Sequence, residues 1–285
     1  MRIEPNHESK GHKEHSSHEG HDDRENPDIH SEHAGHGSHH SHKEHGEQMH
    51  GETKASKIPV KVEWTASPEK LESNQEIELK LLITDASGKA IPSFTIVHEK
   101  EMHLLAISRD LTVFQHLHPV YSGAGQFKVK VTFPKPGRYK LYADFLPEGA
   151  NQQLASHELV VEGEENTESI VPDIQRQKTI NGLNFELVLP EVRVDEHIKL
   201  SFKVSDASGN PVTELEPYLG SAGHVVIINE TMEEFLHVHP SDETTTGPDV
   251  EYMTSFPTEG LYKIWGQFKF KGEIYTVPFV VEVGK

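Results

Sequence analysis

The sequence predicts an all-β protein in which two tandem β-sandwich domains follow a disordered, histidine-rich N-terminal tail. Two observations predict this organisation: residues 1–57 lack the side chains of a core, and the remainder repeats itself. The predicted boundaries are a tail at 1–57, a first domain at 58–163, a linker at 164–178 and a second domain at 179–285.

The tail contains no aromatic residue and almost no aliphatic ones, so it cannot bury enough apolar surface to offset the entropy cost of ordering. Thirteen of the 22 histidines precede position 51. Neutral imidazole is a ligand for zinc, copper(II) and nickel, which favours metal binding in many registers over a merely solvated spacer. The densest candidate ligands are His33, His36, His39, His40, His42 and His45.

The repeat is visible in two motifs. The tetrapeptide Asp85–Gly88 recurs 121 residues later as Asp206–Gly209, and the run Phe114–Pro119 recurs at the same offset as Phe235–Pro240. After two inserted residues the match resumes, with 133–142 corresponding to 256–265. Self-similarity of this kind indicates a duplicated domain.

Within each copy the apolar residues alternate with polar ones, as in Val60, Val62 and Trp64. A period of two predicts strands, and Gly- or Pro-containing turns separate the apolar runs. Several short strands in about 100 residues predict an immunoglobulin-like sandwich, here without the cysteine pair of antibody domains.

Composition excludes several classes of protein. The chain has no cysteine, so disulfide scaffolds and thiolate metal sites are excluded, and its net charge of −19 favours cations over nucleic acid. No stretch is long and apolar enough for a membrane span, and Met1–Asn6 lacks the apolar segment of a secretory signal. An all-β body without cysteine nevertheless favours an extracytoplasmic location in the cell envelope.

The most informative motif is a histidine followed 13 residues later by His-x-His-Pro. In the first copy these residues are His103, His116 and His118. Residues i and i+2 of a strand share a face, and a hairpin centred between Arg109 and Asp110 would set His103 opposite His116. Three imidazoles at such distances can converge on one ion.

The second copy repeats the motif with His224, His237 and His239. A hairpin centred between Glu230 and Thr231 would set His224 opposite His237. Three nitrogen ligands suit zinc or copper(II), with a fourth position for water or another ligand.

The first copy offers His98 and Met102 as additional ligands, and the thioether of Met102 would favour copper(I). The corresponding residues of the second copy are Leu219 and Gly223, so its site is expected to be barer. The alternative is structural. Leu105, Ile107 and Phe114 share the predicted face of His103, so the histidines would then cap a core and bind backbone groups.

Other features favour packing over chemistry. A set of aromatic residues around a Gly-containing turn predicts core packing: Phe133, Tyr139, Tyr142, Phe145, Phe256, Tyr262, Trp265 and Phe268. Asp144 aligns with Gln267, which argues against a catalytic carboxylate shared by both copies. The sequence has neither a Gly-x-Ser-x-Gly elbow nor a His-Glu-x-x-His helix, so an enzyme is not expected.

The segments Met102–Leu105, Phe114–Pro119 and the later Phe-Pro-x-x-Gly-x-Tyr strand resemble the YtkA-like or FixH-like group of small sandwich domains. The second copy resembles that group through Pro217–Gly220 and Trp265–Phe268. The resemblance implies an immunoglobulin-like fold, a bacterial envelope setting and a link to copper handling.

The sequence therefore leaves two candidate functions. The first is a non-enzymatic copper or zinc buffer or chaperone, whose tail captures ions and whose sandwiches hold one each, with an envelope metal-handling protein as a partner. The second is a structural or protein-interaction module of tandem sandwiches without a specific metal role.

Overall fold

The computed structural model describes residues 59–165 and 168–285. Within these ranges the chain forms 17 strands and no helix, and accordingly no helix long and apolar enough to cross a membrane is found there. The predicted disorder of residues 1–57 and the tail ligands His33, His36, His39, His40, His42 and His45 lie outside the described residues.

The first sandwich contains nine strands: β1 (Val60–Ser67), β2 (Glu76–Asp85), β3 (Phe94–Thr95), β4 (Met102–Ser108), β5 (Phe114–Leu117), β6 (Val120–Tyr121), β7 (Gln126–Thr132), β8 (Gly137–Pro147) and β9 (Gln153–Val161). One sheet has the order β1-β2-β7-β6, and the other places β5, β4, β8 and β9 side by side, with β3 at the end of β8. All of the pairings are antiparallel. This is the strand order of an immunoglobulin domain, which confirms the predicted fold class.

The second sandwich contains eight strands: β10 (Gln177–Ile180), β11 (Leu183–Val188), β12 (Ile198–Asp206), β13 (Gly223–Asn229), β14 (Phe235–Val238), β15 (Asp249–Thr254), β16 (Gly260–Phe270) and β17 (Glu273–Val283). Its sheets have the orders β10-β11-β12-β15 and β14-β13-β16-β17. Strand β10 is an addition outside β11. The equivalent of β6 is reduced to a single bridge between Pro240 and Tyr252.

Each sandwich has its own apolar core, but β4 and β13 are buried along their whole length. Alternate residues of β4, such as Met102 and Leu104, fill the first core. The intervening Leu105 and Ile107 belong instead to a third cluster that contains Trp265 of the second sandwich. The two sandwiches therefore pack against each other through the sheets that carry the histidine motifs.

The same kind of aromatic stack occurs twice at the interface, each time between a phenylalanine of one sandwich and an aromatic residue of the other. Phe114 of the first sandwich stacks on Trp265 of the second, with ring centroids 4.7 Å apart. Phe235, the counterpart of Phe114, stacks on Tyr142, the counterpart of Trp265, at 5.1 Å. Each large side chain buried in this way stabilises the packing by about 1.5–3 kcal/mol. Of the predicted core aromatics, Tyr142 and Trp265 thus serve the interface.

Hydrogen bonds also join the two sandwiches at this interface. The Tyr142 hydroxyl donates a hydrogen bond to the Met232 carbonyl at 2.6 Å, and Arg109 donates to the carbonyl of Glu230 at 2.9 Å. Because Met232 and Glu230 lie in the β13–β14 loop, the first sandwich holds the hairpin that carries the second histidine motif.

Candidate metal centre

Seven of the nine histidines in the described ranges gather at the interface between the two sandwiches. They include both predicted triads. His103, His116 and His118 each offer one ring nitrogen, and these three atoms lie within 4.8 Å of one another. The same holds for His224, His237 and His239.

The hairpin register differs from the prediction by two residues. Leu105, not His103, lies opposite His116, and Val226, not His224, lies opposite His237. Side-chain hydrogen bonds stabilise loops longer than expected: the Asp110 carboxylate accepts them from the backbone and hydroxyl of Thr112, and the Asn229 side-chain oxygen accepts them from the backbone of Glu233 and Glu234. A shift of two residues keeps every side chain on its predicted face, so the triads still converge.

One nitrogen of His103 is committed to the backbone. The bridge between Val97 and Lys100 closes a tight turn in which His98 and Glu99 have positive φ angles of 48° and 65°. The turn presents the Val97 carbonyl to His103 Nε2 at 3.0 Å. A carbonyl oxygen only accepts, so Nε2 carries the proton and Nδ1 of neutral His103 is left with a lone pair.

His116 is oriented from the other sandwich. Its Nδ1 donates to Gln267 Oε1 at 2.8 Å, so Nε2 carries the lone pair when the ring is neutral. His103 Nδ1 and His116 Nε2 then face each other at 3.0 Å. Two lone pairs at this distance repel each other unless a proton or a metal cation lies between them.

The second triad repeats the arrangement. His224 Nε2 donates to the Leu219 carbonyl at 3.2 Å, and His237 Nδ1 donates to the Asp144 carboxylate of the first sandwich at 3.2 Å. Both partners are acceptors, so His224 Nδ1 and His237 Nε2, which lie 3.4 Å apart, are the lone-pair atoms of the neutral rings.

The third histidine of each triad has a buried nitrogen without a protein partner. Among the described residues, Nε2 of His118 and Nε2 of His239 are buried and form no hydrogen bond. A buried polar atom without a partner is costly, and such atoms are rare in folded proteins. In both triads this third histidine also offers a ring nitrogen within 4.8 Å of ligand nitrogens of the other two.

The spacing suits a tetrahedral cation. With metal–nitrogen bonds of about 2.0–2.1 Å, two nitrogens on a tetrahedral ion lie roughly 3.3 Å apart. The facing nitrogens of the two triads lie 3.0 and 3.4 Å apart. Ring centroids within a triad are separated by 4.7–5.5 Å.

Burial favours the neutral form of four of the candidate ligand rings. It lowers the pKa of His103 and of His118 to about 4. Burial, with an added contribution from neighbouring His237, lowers the pKa of His224 to about 2 and that of His239 to about 3. Imidazole binds a metal only when neutral, so these four rings are in the form that binds a cation at physiological pH.

The two triads form one cluster. His103 lies 5.6 Å from His237 and 6.4 Å from His224 between ring centroids, and His116 lies 6.2–6.3 Å from the same two rings. A cavity of about 390 Å³ reaches both triads, and its lining includes His103, His237 and His239.

His98 lies in a different place from the one predicted. Its ring stacks on His239 at 3.7 Å, so this residue of the first copy borders the second triad. The second triad is therefore not the barer of the two, since the first sandwich adds both His98 and Asp144 to its surroundings.

Met102 lies on the opposite face of β4 from His103 and is fully buried in the first core, so it is not a ligand candidate. In the second copy the same position is Gly223, where an added Cβ would come within 2.6 Å of the Phe268 ring. Position 102 and its counterpart thus face the apolar cores, because neighbouring residues of a strand point to opposite faces.

Sequence reasoning missed the roles of Asp144 and Gln267. Their alignment served only as an argument against a catalytic carboxylate shared by both copies, whereas each side chain supports a histidine of the other sandwich. Burial alone would raise the pKa of Asp144, but hydrogen bonds from His237 and Gln152 outweigh this effect and lower it. The residue is therefore a carboxylate at neutral pH. The signal available in the sequence was that Asp144 and Gln267 occupy equivalent positions in the two copies.

Solved structures offer only distant similarity. The Escherichia coli adhesin FdeC is 18% identical, with a TM-score of 0.27 over 81% of this chain and 65% of that one. The Yersinia pseudotuberculosis adhesin InvE is 12% identical, with a TM-score of 0.26 over 77% and 58%. The chain thus spans less than two thirds of either adhesin structure, and similarity at this level carries no function over.

A comparison with curated protein sequences returns no significant match. The family model described as Domain of unknown function (DUF8832) matches residues 55–163 and again residues 178–285. The two matches together span more than half of the chain, which therefore belongs to this family and carries two tandem copies of its domain.

Proposed function

We propose that this protein is a non-enzymatic metal-binding protein in which each triad holds one copper or zinc ion. The observation that carries the proposal is the pair of facing lone-pair nitrogens in each triad, at 3.0 and 3.4 Å. Their other ring nitrogens are committed to acceptors, so a cation relieves the repulsion and satisfies the third imidazole at the same time.

A proton is the competing explanation for the short contacts. One protonated imidazole in each pair would donate to the other ring. Burial lowers the pKa of His103 and places that of His116 well below its ordinary value, which disfavours a proton between these two rings at neutral pH. A metal cation is thus the better occupant of the first triad, and the second triad repeats its geometry.

The cellular role that fits this chemistry is a buffer or chaperone for copper or zinc. The tail histidines, including His33, His36 and His39, would capture ions with low selectivity before the triads receive them. Their partner would be a metal-handling protein of the cell envelope. The resemblance of the sandwich motifs to YtkA-like or FixH-like domains supports copper over zinc.

The test uses the full-length chain with every histidine before position 51 replaced by glutamine, here termed the tail-silent chain. We expect Zn²⁺ or copper to raise its melting temperature, because a ligand bound only by the folded state at 100 times its Kd adds about 2.7 kcal/mol. Replacing all three histidines of both triads by glutamine should abolish the shift.

A matched control is available in the two remaining described histidines. His157 stacks on Trp64 and His197 lies outside the cluster, so His157→Gln with His197→Gln should leave the metal-induced shift intact. An unchanged melting temperature with every metal, together with no bound metal by elemental analysis, would refute the proposal. That result would favour the interaction-module alternative. Acidification should release the metal, because protons compete for imidazole.

A further inference from the structure

The two triads differ in the residue that supports their second histidine. His237 donates to the carboxylate of Asp144, whereas His116 donates to the neutral amide of Gln267. The two supports occupy equivalent positions, since Asp144 pairs with His103 across β8 and β4, and Gln267 pairs with His224 across β16 and β13. The duplicated geometry therefore carries one charge on one side only.

A carboxylate in this position strengthens a metal site. It orients the ligating ring and raises the basicity of the nitrogen that faces the metal, and its charge offsets part of the charge of a divalent cation. Asp144 is 8% exposed and is anchored by a second hydrogen bond, from Gln152. Its charge is thus held in place beside the cluster.

The Asp144 carboxylate lies close to both triads. Among the described residues that line the cavity between the triads, Asp144 is the only carboxylate. Histidines of the two triads approach to 5.6 Å between ring centroids. A divalent cation in one triad therefore raises the electrostatic cost of placing a second divalent cation in the other, since like charges at this separation repel each other.

We infer that the two triads fill in order: a divalent cation enters the triad of His224, His237 and His239 first, and its presence weakens the triad of His103, His116 and His118. This inference rests on the proposed function and adds to it a specificity-determining residue, Asp144. Monovalent copper would be less affected, because two single charges repel each other about fourfold less than two double charges at the same distance.

The experiment titrates the tail-silent chain with Zn²⁺ in competition with a chromophoric chelator. Two assignment variants retain one triad each: His116→Gln with His118→Gln leaves the second triad, and His237→Gln with His239→Gln leaves the first. The variant with the second triad should bind Zn²⁺ at least about tenfold more tightly. The chain with both triads should show one strong and one weaker equivalent.

Charge variants test whether the Asp144 carboxylate causes the difference in affinity between the two triads. Asp144→Asn should lower the Zn²⁺ affinity of the second triad by about 10- to 100-fold, and Gln267→Glu should raise that of the first. The double variant should reverse the order of filling. Glu158→Gln is the matched control, since it removes one exposed carboxylate from the neighbouring strand β9 and should change neither affinity.

The outcomes separate the two proposals. Equal affinities of the two triads, or no change with Asp144→Asn and Gln267→Glu in folded variants, would overturn the ordered filling while metal binding stands. Failure of both single-triad variants and of the tail-silent chain to bind Zn²⁺ or copper would overturn the proposed function itself. If Asp144→Asn does not fold, as judged by circular dichroism, Gln267→Glu alone decides the question.

Discussion

His237 Nδ1 donates a hydrogen bond to Asp144 Oδ2 at 3.2 Å, although the two residues belong to different sandwiches. The reciprocal contact joins His116 of the first sandwich to Gln267 of the second at 2.8 Å. Each sandwich thus supplies three candidate ligands and orients one ligand of its neighbour. The site therefore requires both copies, because neither copy alone contains the residue that orients its second histidine.

The aromatic stack at the interface should support both triads. Trp265 is 2% exposed, and we expect Trp265→Ala to lower the free energy of unfolding by about 3–5 kcal/mol, as for other large buried side chains. Zn²⁺ affinity should fall with it. Urea unfolding and chelator competition measure the two effects.

Trp64 is the control for that variant, since it is half-buried against His157 and lies outside the interface. Trp64→Ala should lower stability by less and leave the Zn²⁺ affinity of the folded protein unchanged. Equal losses of affinity in both variants would contradict the role of the interface.

Tryptophan emission should distinguish copper from zinc at the cluster. The chain has two tryptophans, so Trp64→Phe in the tail-silent chain leaves Trp265 as the only source of tryptophan emission. Trp265 and His237 flank Val226 on adjacent strands. Cu²⁺ bound there should quench the emission, whereas Zn²⁺, which has a filled d shell, should not. Quenching that survives removal of both triads would show that the copper lies elsewhere.

His98 should control access to the second triad. Its ring covers His239 at 3.7 Å and lines the cavity. Asparagine tolerates the positive φ of 48° at this position, so His98→Asn removes the ring without straining the turn. We expect faster transfer of Zn²⁺ from the second triad to a chelator in stopped-flow measurements. An unchanged rate would exclude a gating role.

Asp110 should make the first hairpin sensitive to acid. Its buried carboxylate accepts hydrogen bonds from Lys135, Ser108 and Thr112, and these outweigh the opposing effect of burial and hold its pKa far below the usual range. A carboxylate whose pKa is lowered on folding adds stability above about pH 4, and this contribution is lost as the pH falls through its folded pKa.

Asp110→Asn should therefore lower the free energy of unfolding by about 1–3 kcal/mol near neutral pH, because buried donors lose their charged partner. The difference from the unsubstituted chain should shrink toward about pH 3 in urea unfolding. A difference that does not depend on pH would mean that the charge of Asp110 contributes little. Glu63→Gln, which removes an exposed carboxylate on β1, serves as the control.

Much of the fold followed from local patterns. Alternation such as Val60, Val62 and Trp64 predicted strands, and the recurrence of Asp85–Gly88 as Asp206–Gly209 predicted two copies. Both signals are local because side chains of a strand alternate with a period of two, and a repeat is visible without any contact being known. The convergence of each triad followed from the same alternation, and it survived a register error of two residues.

Only the tertiary structure decided what the histidines face. The sequence shows β4 as an apolar run, and such a run does not reveal that Leu104 faces a domain core while Leu105 faces a second domain. The positions of His98 against His239 and of Asp144 against His237 depend on the docking of two sandwiches, which no periodicity encodes. The amino-acid sequence by itself thus determined the strands, the duplication and the triads. The packing of one copy on the other decided the tautomers of His116 and His237, the neighbours of the triads and the difference in charge between them, because these depend on contacts between residues 93 to 151 positions apart.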